Sequence, residues 1–79
     1  MPLIEGYVRD RNTGKGIPYA VVKLNGYTTA TDATGYFSIV VPAGIYTLSI
    51  RHAMYRPFSE TIKIETNISR DFYLERMIL

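Results

Sequence analysis

The stretch Tyr36-Phe37-Ser38-Ile39-Val40-Val41-Pro42-Ala43-Gly44-Ile45-Tyr46-Thr47-Leu48-Ser49-Ile50 decides the fold class. Side chains along a strand alternate between two faces. Phe37, Ile39 and Val41 therefore share one face of the first run, and Tyr46, Leu48 and Ile50 share one face of the second. Between them Pro42 presets φ for a turn and ends ladder pairing, because it has no N–H to donate. Two short strands joined by a turn are predicted, and no helix.

Upstream, Asp32-Ala33-Thr34-Gly35 reads as a turn, with Asp32 placed to bond the backbone ahead and Gly35 to absorb an unusual φ. Before it, Tyr19–Asn25 places Ala20, Val22 and Leu24 on one face, and Tyr27–Thr31 follows. Asn25-Gly26 between these two runs accepts positive φ at both positions, which predicts a tight hairpin. The first run, Leu3–Arg9, sets Ile4, Gly6 and Val8 against Glu5, Tyr7 and Arg9, and the polar loop Asp10–Gly16 follows it. Downstream of the opening stretch, a loop over Ala53–Pro57 precedes Phe58–Glu65, with Phe58, Ile62 and Ile64 aligned. The last run, Ile68–Glu75, directs Ile68, Phe72 and Leu74 inward. Seven such runs and no helical period predict an all-β chain of two antiparallel sheets packed face to face. The tail Arg76-Met77-Ile78-Leu79 is apolar enough to pack.

With 79 residues, residues 1–79 are expected to form one domain whose large apolar side chains all serve a single core. Nine basic and seven acidic residues are scattered along the chain, giving +2 without a run of like charge. Nucleic acid is therefore not the favoured partner. No apolar stretch approaches the roughly 20 residues of a membrane span, so membrane insertion is not expected. Cysteine is absent, which removes disulfides, thiol chemistry and cysteine-based metal sites. Met1–Glu5 has neither the basic start nor the apolar core of a signal peptide. A cytoplasmic location follows if the chain is whole, and an extracellular one if it is a module of a longer secreted protein.

Several turns and strands agree in order and spacing with the carboxypeptidase regulatory-like domain family. Ile4-x-Gly6-x-Val8-x-Asp10, Thr13-Gly14 and Ile17-Pro18-x-Ala20-x-Val22-x-Leu24 resemble its start. Thr29-x-Thr31-Asp32-x-x-Gly35-x-Phe37-x-Ile39 and Val41-Pro42-Ala43-Gly44-x-Tyr46-x-Leu48-x-Ile50 continue the pattern. Tyr55, Ile62, Ile64 and Asp71-x-x-Leu74 complete it, while Met54 stands where a glycine usually precedes the tyrosine. The resemblance implies a transthyretin-like, seven-stranded Greek-key β-sandwich. It also implies a non-enzymatic role as a folding aid, spacer or interaction surface. The residues account for themselves without it: Gly14, Gly26, Gly35 and Gly44 belong to turns and the Val, Ile, Leu and Phe positions to a core.

Chemistry finds little purchase. His52 is the only histidine, and a metal ligand or a triad base needs companions that the sequence does not supply. The bland alternative is a strand-end histidine bonded to a neighbouring loop; a minor hydrolase activity centred on His52 is the sharp one. Hydroxyisourate hydrolases share the transthyretin-like fold, but they resemble one another through several histidines and a Tyr-Arg-Gly-Ser ending that this chain lacks. Asp10, Asn12 and Asp32 offer oxygen to calcium, yet one carboxylate in the Asp10–Gly16 loop is too few, and turn capping is the expected role. No cofactor is expected. Glu5, Glu65, Asp71 and Glu75 fall at outward positions or strand ends, with the facing of Glu60 open. Asn67-Ile68-Ser69 matches a glycosylation acceptor, a pattern common by chance.

Tyrosine is the better lead. Tyr46 takes an inward parity, whereas Tyr7, Tyr19 and Tyr73 fall outward, as do Val21 and Val40. If the first and last strands are neighbours, Tyr7 and Tyr73 meet on one outer face. Exposed Tyr/Val clusters suit a protein partner, a second copy in a homodimer, or a sugar that stacks on aromatic rings. Isolated exposed aromatics are the competing reading. The function expected is thus a non-catalytic module for protein interaction, self-association or spacing, with carbohydrate binding as the alternative.

Overall fold

A computed structural model of the chain describes residues 1–77. Eight strands follow one another: β1 (Leu3–Asp10), β2 (Val21–Leu24), β3 (Tyr27–Ala30), β4 (Tyr36–Val40), β5 (Gly44–His52), β6 (Tyr55–Ile64), β7 (Ile68–Ser69) and β8 (Phe72–Leu74). They build a transthyretin-like β-sandwich. One sheet has the order β4-β1-β7, with β8 also paired to β1; the other has the order β3-β2-β5-β6. Inward alternate positions of both sheets make the core, which includes Ile4, Val8, Val22, Leu24, Phe37, Leu48, Ile50, Ile64, Phe72 and Leu74, all essentially fully buried. Ile39, Phe58 and Ile68 pack against this core while remaining partly exposed.

Four expectations are corrected. The last run is not one strand but two, because Arg70 falls on the inward parity of an unbroken strand. The chain breaks between β7 and β8 instead, and the Arg70 guanidinium reaches Glu60 through two hydrogen bonds of 2.7 and 2.8 Å. The break also explains Gly6. The Arg70 carbonyl passes so close to β1 that a Cβ at Gly6 would sit 1.7 Å from its oxygen, while Arg70 N–H donates to the Glu5 carbonyl at 2.9 Å. Only glycine allows that approach.

Second, the first sheet is mixed. β1 is antiparallel to β4 but parallel to β7 and β8, since the chain enters β7 by crossing from the other sheet rather than by a hairpin. Third, the Ala53–Pro57 loop shrinks to a tight turn. β6 begins at Tyr55 opposite His52, and an irregularity in the ladder beyond Ile50 accommodates Pro57 on this edge strand. Fourth, the second run begins at Val21, not Tyr19. At the Asn25-Gly26 hairpin only Asn25 takes positive φ, at 53°; its side-chain carbonyl then accepts Thr47 N–H at 3.0 Å.

The Asp32 turn forms as expected. One Asp32 oxygen accepts the N–H groups of Thr34 and Tyr36 and the Thr34 hydroxyl, and Gly35 has φ of 88°. Of the tail, Arg76 and Met77 are placed: Arg76 bridges to Tyr55, and Met77 N–H donates to the Met54 carbonyl at 3.1 Å. Ile78 and Leu79 lie outside the described residues.

Candidate functional site

Alternation leaves each sheet with one outer face, and the structure divides the five outward residues between them. Tyr7, Val40 and Tyr73 lie on the outer face of the first sheet, where Val40 pairs with Leu3 and Tyr73 with Arg9. Tyr19 and Val21 lie on the other side of the molecule, at one end of the second sheet. They do not form one patch.

On the first face, neighbouring groups satisfy one another. The Arg9 guanidinium stands 4.7 Å over the Tyr7 ring and donates to Asp71 at 2.9 Å, while Tyr73 lies beside Arg9 in the ladder. Tyr7 meets Tyr36 edge to face at 5.4 Å, and the Tyr36 hydroxyl donates to Glu5 at 2.5 Å. That bond holds the Tyr36 hydroxyl above its ordinary pKa, and the Arg9 hydrogen bond holds the Asp71 carboxyl below the usual carboxylate value. Tyr7 and Tyr73 are thus neighbours of one cation, as their strand order implied, but Tyr7 is half-covered.

The opposite side differs. Tyr19 is 71% exposed and has φ of 59°, in the left-handed region that costs a bulky residue about 1–2 kcal/mol. A buried threonine enforces the turn: Thr31 Oγ1 accepts Ala20 N–H at 2.8 Å and donates to the Ile17 carbonyl at 2.7 Å. Tyr19 thereby projects at the rim of a cleft of about 470 Å³ whose walls include Val21, Arg51, Ala53, Pro57 and Met77. Tyr19, Val21 and Met77 are all exposed there. A second depression continues from this cleft along the sheet, lined by Val21, Lys23, Thr28, Ser49 and Arg51. Sequence parity identified Tyr19 and Val21 as outward. It missed Met77 and Pro57, which reach the cleft only through the β6 edge and the tail folded beside it.

His52 sits at the end of β5, partly exposed. Its Nδ1 accepts Met54 N–H at 3.1 Å, and its ring meets Tyr55 edge to face at 5.4 Å, so it is bonded to the neighbouring turn. Beyond Tyr55 lies Asp10, buried and fully engaged. It accepts the Tyr55 hydroxyl at 2.7 Å and the N–H groups of Asn12 and Thr13. Those bonds, the tyrosine's first, keep its carboxyl below the usual pKa. Asp10 and Asp32 thus cap turns, and among the described residues no three His, Asp or Glu side chains gather as a metal site would require. Asn67 of the acceptor tripeptide uses its side-chain oxygen to hold Leu3 N–H at 2.9 Å.

Comparison with solved structures returns β-sandwiches. A chain of a type II cohesin–X-dockerin complex from Acetivibrio cellulolyticus, an N-terminal interface mutant, matches with a TM-score of 0.74 at 20% identity, over 96% of this chain and 58% of that one. The corresponding C-terminal interface mutant matches with 0.72 at 20% identity, over 94% and 57%. This chain therefore spans just over half the length of those chains. The 5-hydroxyisourate hydrolase of Klebsiella pneumoniae matches with 0.69 at 18% identity, over 98% of this chain and 92% of that one. At such identities the likeness is one of fold. A search of curated protein sequences returned no match. The family model for the carboxypeptidase regulatory-like domain aligns with residues 3–75, nearly every strand and turn described above, and the chain belongs to that family.

Proposed function

We propose that this domain is a non-catalytic protein-interaction module whose contact surface is the end of the second sheet around Tyr19 and Val21. One observation carries the reading: exposed apolar side chains from two segments far apart in the chain, Tyr19 and Val21 on one and Met77 on the other, converge on one cleft. Backbone strain at Tyr19 adds to it, because a strained residue persists only where its surroundings over-determine it, and such residues concentrate at functional sites. Similar folds in a cohesin–X-dockerin complex make a protein partner a natural role for the architecture. Tyr7, Val40 and Tyr73 form a second outward set, but their polar neighbours already satisfy one another, which leaves them a smaller share of recognition.

Carbohydrate binding is the weaker alternative, since the His52 and Tyr55 rings that also line the cleft are half-buried against each other, and Tyr19 alone is a well-exposed ring at its rim. A hydrolase centred on His52 is weaker still, because its Nδ1 is engaged and Asp10 beyond it is committed to structure. Panning a phage-displayed random peptide library on the whole chain tests the proposal. Peptides whose binding is lost with Tyr19→Ser or Val21→Ser, but kept with Tyr73→Ser, support it. Binding lost with Tyr73→Ser and indifferent to Tyr19→Ser and Val21→Ser overturns it.

A further inference from the structure

Charge is distributed unevenly over the sandwich. All seven Asp and Glu side chains already have partners within the chain. Asp71, Glu60, Glu65 and Glu75 pair with Arg9, Arg70, Lys63 and Arg11. Glu5 accepts from Tyr36, and Asp10 and Asp32 hold turns. Lys23 and Arg51 have no such partner: among the described residues no carboxylate comes within 4.0 Å of either.

The two cations lie on adjacent strands. Lys23 is opposite Ser49 and Arg51 is opposite Val21, so both project from the same outer face as diagonal neighbours, at a Cβ spacing of about 7 Å. Like charges so placed repel. Their surroundings are Val21 and the hydroxyls of Thr28 and Ser49, and among the described residues nothing anionic lines this depression to offset them. Arg51 also lines the apolar cleft, so an apolar wall and two unpaired cations form one continuous track.

The geometry points to an acidic, extended peptide segment as the ligand of this track, with an apolar residue anchored in the Tyr19–Val21–Met77 cleft and two carboxylates beyond it, one on Arg51 and one on Lys23. The inference rests on the docking surface proposed above and adds the chemistry of the partner. Spacing supports it. Side chains i and i+2 of an extended chain point the same way about 6.6–7 Å apart, which matches the diagonal separation of the cations. The expected motif is therefore an apolar residue, any residue, Asp or Glu, any residue, Asp or Glu. The partner is a different protein, because a second copy of this chain has each of its Asp and Glu side chains engaged. An acidic polysaccharide fits less well, since the exposed anchoring residues beside Tyr19 are Val21 and Met77, which offer no ring for a sugar to stack on.

Two synthetic fluorescent peptides test the inference on the whole chain: Gly-Phe-Ser-Glu-Ser-Glu-Gly, and the same sequence with both Glu replaced by Gln. The acidic peptide should bind about three- to tenfold more tightly, the range expected for two exposed ion pairs. That preference should vanish in the double variant Lys23→Ser, Arg51→Ser and shrink between 50 and 200 mM salt. Equal binding of both peptides, lost with Val21→Ser, sinks the acidic preference while the docking surface survives. Glutamate-dependent binding indifferent to Val21→Ser and Tyr19→Ser retains the cations and removes the apolar anchor, and the inference fails as stated. Tight binding of polygalacturonate together with no measurable binding of either peptide overturns both readings.

Discussion

On the outer face of the first sheet, Arg9 lies over Tyr7 and holds Asp71; on the outer face of the second, Arg51 and Lys23 project with no carboxylate of the described residues within 4.0 Å. Both faces belong to one small sandwich, and both alternate polar with apolar residues along their strands. They differ in what the neighbouring strand brings. β7 and β8 deliver Asp71 and, at the break between them, Arg70, so the charges of the first sheet close the molecule. β5 delivers Arg51 and Ser49 beside Lys23, so the charges of the second stay available. The difference implies a division of labour: substitutions on the first sheet should cost stability, and those on the second should cost recognition.

The sharpest way to break this division is Gly6→Ala. A Cβ there overlaps the Arg70 carbonyl, and strand β1 must part from the β7–β8 junction. A loss of about 3 kcal/mol or more is expected, given that ordinary overpacking costs 1–3 kcal/mol, and urea denaturation followed by circular dichroism measures it. A loss below 1 kcal/mol would mean that the junction is loosely held.

Acid should come next in effect. Hydrogen bonds hold the carboxyls of Asp10, Asp32, Glu60 and Asp71 below their ordinary pKa values. In the unfolded chain these groups take up protons near pH 4, and in the folded chain only at lower pH. Protons therefore favour unfolding in that window. Stability should be level above about pH 5 and fall progressively below it. Asp71→Asn should flatten the slope, whereas the double variant at Lys23 and Arg51 should leave the slope unchanged; the urea midpoint from pH 2.5 to 7 reads both.

A double-mutant cycle of Glu60→Gln and Arg70→Gln should give a coupling near 1 kcal/mol, the upper end for a partly exposed bidentate pair. Smaller still, Tyr19→Asn should raise stability by about 0.5 kcal/mol, since asparagine tolerates the left-handed region better, while weakening any peptide bound at the cleft. Destabilisation by this change would show that the Tyr19 ring packs rather than recognises. The double variant Lys23→Ser, Arg51→Ser sits at the bottom of the scale. Its stability should stay within about 0.5 kcal/mol of the parent, and a larger loss would place these cations in the fold's own support.

Much of the sandwich is legible in the alternation alone. Ile4, Val8, Val22, Leu24, Phe37, Leu48, Ile50, Ile64, Phe72 and Leu74 take their inward positions because a period of two allows each strand one buried face, and a small core needs every one of them. Asp32 and Gly35 announce their turn through chemistry confined to four residues. Likewise Tyr7, Tyr19, Val21, Val40 and Tyr73 could be read as outward from parity or position.

Parity says which way a side chain points from its own strand, and nothing about which strands lie alongside. Only the tertiary structure set Tyr19 and Val21 apart from Tyr7, Val40 and Tyr73, brought Met77 to the Tyr19 cleft, and moved Arg70 from an inward position to the carboxylate of Glu60. It also decided that Gly6, read only as a strand position, is a point of close contact with Arg70. Local order follows from torsions and alternation within a few neighbouring residues. Which charges end up paired and which remain free depends on residues dozens of positions apart, such as Arg9 and Asp71, and is settled only when the two sheets close on each other.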